Sequence, residues 1–184
     1  MQLYILRHAI AIPRGTPGYP NDDRPLTEDG INKMMECAKG IYSIAGTFDA
    51  IVSSPLIRAL HTAKILAEHN EYKGEITITD YLLPGSPQRS LFKYLSEFNN
   101  LEKVCIVGHE PHLGYIASKL LGINESVIEL KKGGMCRIDI HGFSPDNTGK
   151  LIWLFQPKQL QMMVSPYQGE KNAPVMRQRG VDDE

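Results

Sequence analysis

Three stretches of this 184-residue sequence place arginine or histidine at or shortly after the end of an apolar run. Arg7 and His8 follow the first run, Arg58 comes soon after the second, and His109 follows a later one. A guanidinium group can bind two oxygens of a tetrahedral anion at once, and a neutral imidazole can act as a nucleophile. This set of side chains could therefore bind and transfer a dianionic tetrahedral group.

The apolar runs themselves predict strands. Residues 3–6, 48–53 and 103–107 are short and rich in aliphatic, β-branched and aromatic side chains, which is typical of strands buried on both faces of a sheet. Open α/β sheets place their ligands at the carboxyl ends of parallel strands. We therefore expect the arginines and histidines to meet at one edge of the sheet.

Helical segments separate these strands. Thr27 predicts the cap of a first helix, and Ser54 followed by Pro55 predicts the start of a second. Alternating strands and helices indicate an α/β fold, here a three-layer α/β/α sandwich with a mostly parallel central sheet and helices on both faces. Strands at residues 135–140 and 151–155 predict an antiparallel portion.

The length of the chain predicts one domain, over residues 1–164. A long loop at residues 12–24, rich in proline and glycine, should lie over the edge of the sheet that carries the arginines and histidines. Residues 146–149 predict a hairpin turn. Residues 165–184 lack apolar periodicity and predict a flexible tail, or an arm that orders only against a partner.

Composition limits the partners and the compartment. A formal net charge of −1 provides no global field for nucleic acid or for an anionic membrane, so anion specificity must come from local arginines. The cysteines are three in number and far apart, which is typical of reduced, buried thiols. With no apolar run near the ~20 residues of a membrane helix and no basic leader, we expect a cytoplasmic protein.

Three motifs resemble those of the histidine phosphatase superfamily, also called phosphoglycerate-mutase-like. Arg7-His8 is similar to its strand-end Arg-His motif, although Ala9 stands where the family normally has glycine. Residues 53–63 resemble its Ser-Ser-Pro-x-x-Arg-Ala-x-x-Thr-Ala signature, and residues 107–109 its second-histidine motif. Further similarity at residues 24–30, 107–113 and 154–160 resembles the SixA-type phosphohistidine phosphatases, so that the motifs extend from residue 3 to about residue 160.

The resemblance implies catalytic roles for four residues. His8 would attack phosphorus and become a transient phosphohistidine, while Arg7, Arg58 and His109 would hold the phosphoryl oxygens. In the family a backbone carbonyl fixes the tautomer of the nucleophilic histidine. No cofactor or metal is expected, because the arginines supply the positive charge and no His/Cys/Asp cluster has metal-ligand spacing.

Four more residues are candidates for contact with the substrate. Arg24 would lie near the phosphate or be a surface arginine, His112 would line the pocket, and Gly108 precedes the second histidine. Asp80 lies in the segment where family members that cleave phosphate esters usually carry an acid, and it is an imperfect substitute for the missing glutamate. An alkoxide leaving group needs such an acid far more than an imidazole does, so we expect an N–P substrate.

The resulting expectation is a phosphatase that removes phosphate from the phosphohistidine of a protein and releases inorganic phosphate. Few insertions enclose the site beyond the loop at residues 13–23, which suits a substrate carried by a protein. A small-molecule phosphomonoesterase of the same fold is an alternative, and a broad substrate panel would distinguish the two. A non-catalytic phosphoprotein-binding module is disfavoured, because a pure binder does not require the nucleophile His8.

Overall fold

The computed structural model describes residues 1–19, 22–143 and 148–164. In this part of the chain one sheet of six strands is accompanied by α-helices. The strands are β1 (Gln2–Arg7), β2 (Ala50–Ser53), β3 (Thr77–Ile78), β4 (Lys103–Gly108), β5 (Met135–Asp139) and β6 (Lys150–Phe155). The helices are α1 (Glu28–Ala45), α2 (Ile57–His69), α3 (Gln88–Leu95), α4 (His112–Leu120) and α5 (Pro157–Met162).

The sheet has the strand order β3-β2-β4-β1-β5-β6. The first four strands in this order run parallel, and β5 and β6 add the antiparallel portion. Arg7 is paired with Gly108 across β1 and β4, and Ser53 with Val107 across β2 and β4. The carboxyl ends of these three strands therefore coincide, as the sequence predicts.

Helices cover both faces of the sheet and make the three layers. Alternate residues of β1 point to opposite faces, so that Tyr4 and Leu6 pack with α1, α2 and α5, while Leu3 and Ile5 pack with α3 and α4. All four side chains are almost completely buried. An apolar strand without polar alternation fits only between two such layers, and the predicted α/β/α sandwich is confirmed.

Helix α1 is attached directly to the segment that follows His8. The Thr27 hydroxyl accepts a hydrogen bond from the Gly30 amide at 3.0 Å and caps the helix as predicted. The Thr27 amide donates to the Ile10 carbonyl oxygen at 3.0 Å. Gly30 packs so closely that a Cβ there would overlap the Ile10 carbonyl. The first turn of α1 thus holds the chain just beyond the proposed nucleophile.

Several predicted boundaries differ from the structure. Helix α2 begins at Ile57 rather than at Ser54-Pro55, because the Ser54 hydroxyl is engaged elsewhere and Leu56 is the N-cap. The alternating residues 75–80 also predict a strand, yet only Thr77 and Ile78 pair, since β3 has a neighbour on one side only and a 3-10 turn begins at Asp80. The short helix α5 was not among the predicted elements.

Some predictions fall on residues that the structure does not describe. The hairpin turn at 146–149 is described only in part, and the tail at 165–184 lies outside the described residues. The three cysteines are buried and free, as expected for thiols. None of the described helices combines the length and the apolarity needed to cross a membrane.

Replacing Gly30 by alanine should destabilise the fold by about 1–3 kcal/mol, because the added methyl group meets a backbone oxygen that no side-chain rotation can move away. Urea unfolding of the variant and the parent measures this loss. Asn32→Ala, at an exposed position of the same helix, is the matched control and should change stability by less than about 0.5 kcal/mol. Equal stability of Gly30→Ala and the parent would contradict the close packing of α1 on Ile10.

Candidate active site

The ends of β1 and β4 bring two imidazole rings together. His8 follows β1 and His109 follows β4, and their ring centroids are 5.0 Å apart. The His8 amide donates to the Gly108 carbonyl oxygen at 3.0 Å, which continues the pairing of the two strands by one residue. Both rings are buried, with exposures of 6% and 2%. The predicted meeting of these histidines at the carboxyl edge is confirmed.

A backbone carbonyl sets the tautomer of His8. Its Nδ1 lies 2.7 Å from the carbonyl oxygen of Ala9, which can only accept a hydrogen bond, so Nδ1 carries the proton. Nε2 makes no hydrogen bond to any described residue and keeps its lone pair. The Ala9 amide donates to the Thr62 hydroxyl at 3.0 Å, and that hydroxyl donates to the Arg58 carbonyl oxygen at 2.7 Å. Ala9 is therefore held between His8 and the first turns of α2.

Burial keeps the His8 ring neutral. It lowers the pKa of His8 to about 3, against an opposing effect of the hydrogen bond to Ala9. The positive charges of Arg58, Arg7 and Lys132 contribute to the same lowering, as smaller effects than burial. At neutral pH the ring is thus unprotonated at Nε2, which is the form that a nucleophile requires.

His109 is positioned by Ser54, a residue that the sequence had assigned to a helix cap. The Ser54 Oγ lies 2.8 Å from His109 Nε2 and also accepts a longer hydrogen bond, 3.4 Å, from the Leu56 amide. A hydroxyl can donate one hydrogen bond and accept two, so this contact is compatible with a proton on either ring nitrogen of His109. Burial, followed by the charges of His8 and Arg58, lowers the pKa of His109 to about 2. At neutral pH the ring is therefore neutral and carries one N–H group.

Arg58 and Arg24 share one carboxylate. The Nη2 of Arg58 lies 2.8 Å from Oδ2 of Asp22, and its Nη1 donates to the Asp22 carbonyl oxygen at 2.9 Å. The Nε of Arg24 lies 2.8 Å from Oδ1 of the same carboxylate, and its Nη1 donates to the Ile12 carbonyl oxygen. Arg24 is thus placed beside Arg58 rather than free on the surface.

Asp22 was not predicted as part of the site. Its burial acts to raise the pKa of the carboxyl group, yet the hydrogen bonds and charges of Arg24 and Arg58 lower it to about 2. Its backbone has a φ of 63°, in the left-handed region that aspartate tolerates better than most residues. The charged loop residues before Arg24 were a possible signal, but sequence alone does not select one of them.

Buried nitrogens without partners surround His8. Among the described residues, Nε of Arg7, Nε of Arg58 and Nδ1 of His109 have no hydrogen-bond partner. Each buried donor left unpaired costs about 1–3 kcal/mol. Arg7 uses its Nη1 on the Leu130 carbonyl oxygen at 2.7 Å, and burial lowers the pKa of its guanidinium group. An anion with several acceptor oxygens would satisfy this set of donors.

The remaining candidates lie at different distances from this centre. Gly108 contributes the backbone oxygen that His8 contacts, and a Cβ there would come to 3.1 Å from Leu113. His112 opens α4, and burial lowers its pKa. Asp80 is exposed in the 3-10 turn after β3, and its carboxylate has no hydrogen bond to a described site residue. In the described ranges no group of three or more His, Cys, Asp or Glu could hold a metal ion.

At the edge of this α/β/α sandwich, a neutral, buried histidine with one free nitrogen lies next to a second imidazole and two arginines, an arrangement that can bind a tetrahedral anion beside a nucleophilic nitrogen. Residues 3–82 match the model of the histidine phosphatase superfamily (branch 1). The chain belongs to this superfamily, and it shares its fold with a SixA structure that is described below. Family membership and phosphatase neighbours together support phosphatase activity.

Three similar proteins illustrate this relationship. An uncharacterized protein of Picosynechococcus sp. is 34% identical over 175 residues, which cover 87% of this chain and 99% of the relative. The structure of the protein histidine phosphatase SixA complexed with tungstate has a TM-score of 0.76 at 21% identity, covering 87% of this chain and 99% of SixA. The alpha-ribazole phosphatase of Shigella flexneri has a TM-score of 0.66 at 19% identity, covering 82% and 95%.

Acid should weaken the folded protein as the pH falls from 6.5 towards 4.5. Burial holds the histidine rings neutral in the folded state, whereas the unfolded chain takes up their protons below about pH 6.5, so the free energy of unfolding rises with pH in this range. His8→Asn should remove about 1–3 kcal/mol of this pH dependence, as measured by urea unfolding at pH 7 and pH 4.5. His141→Asn, at an exposed position, should keep the full dependence. An unchanged pH dependence in His8→Asn would contradict a neutral, buried His8.

Asp22→Asn should tighten the binding of inorganic phosphate roughly fivefold, because the amide removes a negative charge that competes for Arg58 and Arg24. Calorimetric titration at low salt measures the change. Asp23→Asn alters a neighbouring exposed carboxylate that has no ion pair with a described residue, and it should leave the affinity unchanged. Weaker phosphate binding by Asp22→Asn would instead show that Asp22 is needed to orient the arginines.

Proposed function

We propose that this protein is a metal-independent phosphatase that removes phosphate from the phosphohistidine of a protein, through a phosphohistidine intermediate on His8. The observation that carries the proposal is the hydrogen bond of His8 Nδ1 to the Ala9 carbonyl oxygen at 2.7 Å. It leaves Nε2 with a free lone pair in a site rich in buried N–H donors.

In the first step, Nε2 of His8 attacks phosphorus and the bond between phosphorus and the imidazole nitrogen of the substrate breaks. The electron pair of the broken bond stays on that nitrogen, which returns as a neutral imidazole once a proton from solvent balances the charge. The proton stays on Nδ1 of His8 and donates to the Ala9 carbonyl oxygen, and this hydrogen bond stabilises the positive charge that the attacking ring acquires.

In the second step, water attacks the phosphorus of phosphorylated His8. The N–P bond breaks, its electron pair returns to Nε2, and the water loses a proton to solvent as inorganic phosphate leaves. His8 is regenerated in its original tautomer, because Nδ1 keeps its proton and still donates it in a hydrogen bond to the Ala9 carbonyl oxygen. Both steps use the same nitrogen and need no change in the surrounding backbone.

Arg7, Arg58 and His109 hold the phosphoryl oxygens during both steps. Each of them carries a buried nitrogen without a partner in the described part of the chain, and preorganised donors of this kind stabilise developing charge most effectively in a site that excludes water. SixA, whose fold this chain shares, was solved with tungstate. Tungstate is a tetrahedral oxyanion, which supports the same kind of occupant here.

The surroundings of the site favour an N–P substrate. The carboxylate that pairs with Arg58 and Arg24 is Asp22, and its pKa of about 2 keeps it ionised and unable to donate a proton at neutral pH. Asp80, the other candidate acid, is exposed and makes no hydrogen bond to a described site residue. A phosphate ester would therefore lack a general acid for its leaving oxygen, whereas an imidazole leaves with much less assistance.

The proposal also states which cofactors the reaction needs and in which cellular compartment the protein works. The arginines neutralise the phosphoryl charge that a divalent ion would otherwise neutralise, so neither a metal nor another cofactor is part of the mechanism. A phosphohistidine-bearing protein is the partner and inorganic phosphate the product. Buried free thiols are consistent with work in the cytoplasm.

Incubation with a labelled phosphohistidine protein should place the label transiently on His8. His8→Ala should reduce turnover by at least about 10³-fold, because it removes the nucleophile, while binding of inorganic phosphate stays measurable by calorimetry. His69→Ala, at the far end of α2, is the control and should retain both label and turnover. Normal turnover by His8→Ala would refute the mechanism, and phosphate binding without any turnover by the parent protein would favour a binding module.

The substrate class is tested by comparing phosphohistidine proteins with a panel of alkyl phosphomonoesters under the same conditions. The proposal expects faster release of phosphate from phosphohistidine. Faster release from the alkyl esters would instead favour a small-molecule phosphomonoesterase, the class to which the alpha-ribazole phosphatase belongs by its name.

A further inference from the structure

A cleft of about 580 Å³ lies directly beside Arg7, on the side of the sheet that α1 and α5 cover. Its walls come from the start of α1, the start of α5 and the loop at residues 131–133. The floor is apolar and includes Ile10, Met34 and Pro157. The lysines that line it are Lys33, Lys131, Lys132 and Lys158. A volume of this size encloses one small organic group or a few side chains.

Three of these lysines have no counter-charge in the described part of the chain. Lys33 is paired with Asp29 at 2.8 Å, so its positive charge is largely balanced. Lys131, Lys132 and Lys158 form no ion pair with a described residue, and all three are exposed. Several unpaired cations around one concave surface produce a local positive field, even though the chain as a whole carries a net charge of −1.

The loop that carries two of the lysines is fixed to the catalytic strand. The amide of Gly133 lies within hydrogen-bonding distance of the carbonyl oxygens of both Arg7 and His8, at 3.1 and 3.2 Å. The Gly134 amide donates to the Lys131 carbonyl oxygen at 2.7 Å and closes a tight turn. Lys132 is close enough for its charge to act on the His8 ring. These hydrogen bonds therefore fix the position of the cleft relative to the proposed phosphoryl site.

The surface on the opposite side of Arg7 is acidic. A second depression there is lined by Glu110 and Glu129. Glu110 uses both carboxylate oxygens internally, accepting from the Gly114 amide at 3.0 Å and the Leu130 amide at 2.9 Å. An acidic extension of a substrate held at Arg7 would be repelled from this side and attracted to the lysines.

We infer that this lysine cleft binds an acidic group that the substrate carries beyond its reacting phosphoryl group. The inference rests on the proposed function, since it assigns the cleft to the part of the substrate that leaves. The apolar floor accommodates the body of the leaving group, while Lys131, Lys132 and Lys158 bind its carboxylate or second phosphate. Substrates with acidic surroundings are then selected over neutral ones of the same size.

A matched pair of aryl phosphates tests the inference. The probes are 4-(carboxymethyl)phenyl phosphate and its amide, 4-(carbamoylmethyl)phenyl phosphate, which differ in charge but hardly in size. The parent protein should prefer the acid by about tenfold in kcat/KM, because three exposed ion pairs each contribute a few-fold at most. Combined replacement of Lys131, Lys132 and Lys158 by alanine should reduce this acid-to-amide ratio to about one. The inference is tested by the acid-to-amide ratio of kcat/KM and not by the absolute rate with either probe.

Lys64→Ala combined with Lys73→Ala removes two exposed lysines that do not line the cleft, and it should keep the tenfold preference. Phosphohistidine peptides with glutamate or glutamine next to the modified residue provide the second arm. A preference for glutamate that the lysine variant loses would identify protein side chains as the source of the acidic group. A preference confined to the aryl probes would identify small molecules as the source. A parent ratio near one in both arms, or a ratio that survives the lysine replacements, would overturn the inference.

Binding of both probes to His8→Ala protein, measured by calorimetry, separates this inference from the proposed function. If the parent released phosphate from neither the probes nor the phosphohistidine peptides, the proposed function would fail, yet the acid-to-amide ratio of dissociation constants would still report on the lysine cleft. Urea unfolding of the lysine variant establishes that it is folded, as expected for changes at three exposed positions. Equal binding of acid and amide to His8→Ala protein would refute the cleft as an acidic-group site.

Discussion

One short hydrogen bond, from His8 Nδ1 to the Ala9 carbonyl oxygen, determines how the rest of the site must be built. The imidazole and its acceptor are neighbours in the chain, so the geometry depends entirely on how the backbone turns at the end of β1. Two restraints hold that turn, namely the His8 amide on Gly108 and the Ala9 amide on the Thr62 hydroxyl. The first comes from β4 and the second from α2. The free Nε2 is therefore a product of tertiary structure, although the motif that contains it is local.

The site combines strong positive charge with imidazole rings that stay neutral. The two properties are linked, because the cations that can attract an anion also oppose protonation of His8, the proposed nucleophile. Burial acts in the same direction on His8 and His109, and it is the larger effect. The arginines thus serve both properties at once. Three buried nitrogens of this site, on Arg7, Arg58 and His109, make no hydrogen bond to the part of the chain that the structure describes, which is costly for the folded state.

The sequence predicted the layers of the fold and the meeting of Arg7, His8 and His109 at one edge of the sheet, because both follow from local patterns. Apolar strands ending in Arg7-His8 and in His109 point to one edge, whatever the details of packing. Ser54 was misassigned because a Ser-Pro pair before a helix usually forms a cap, and only the arrival of His109 from another strand redirects its hydroxyl. Asp22 was missed for a related reason, since its partner Arg58 is 36 residues away in the chain. Contacts between distant segments are the information that local patterns lack.

The shared carboxylate of Asp22 means that this chain supplies an anion of its own to Arg58 and Arg24. Any incoming anion that uses the same guanidinium nitrogens enters by exchange, so its measured affinity is the difference between two ion pairs. For a weak monoanion that is abundant in a cell, such as chloride or acetate, replacing a carboxylate that is already tethered nearby gives no net gain in binding free energy. A phosphoryl group has a second negative charge and a third oxygen, so it still gains binding free energy when it replaces the carboxylate. An acidic loop residue in an anion site can therefore prevent weakly binding anions from occupying the arginines.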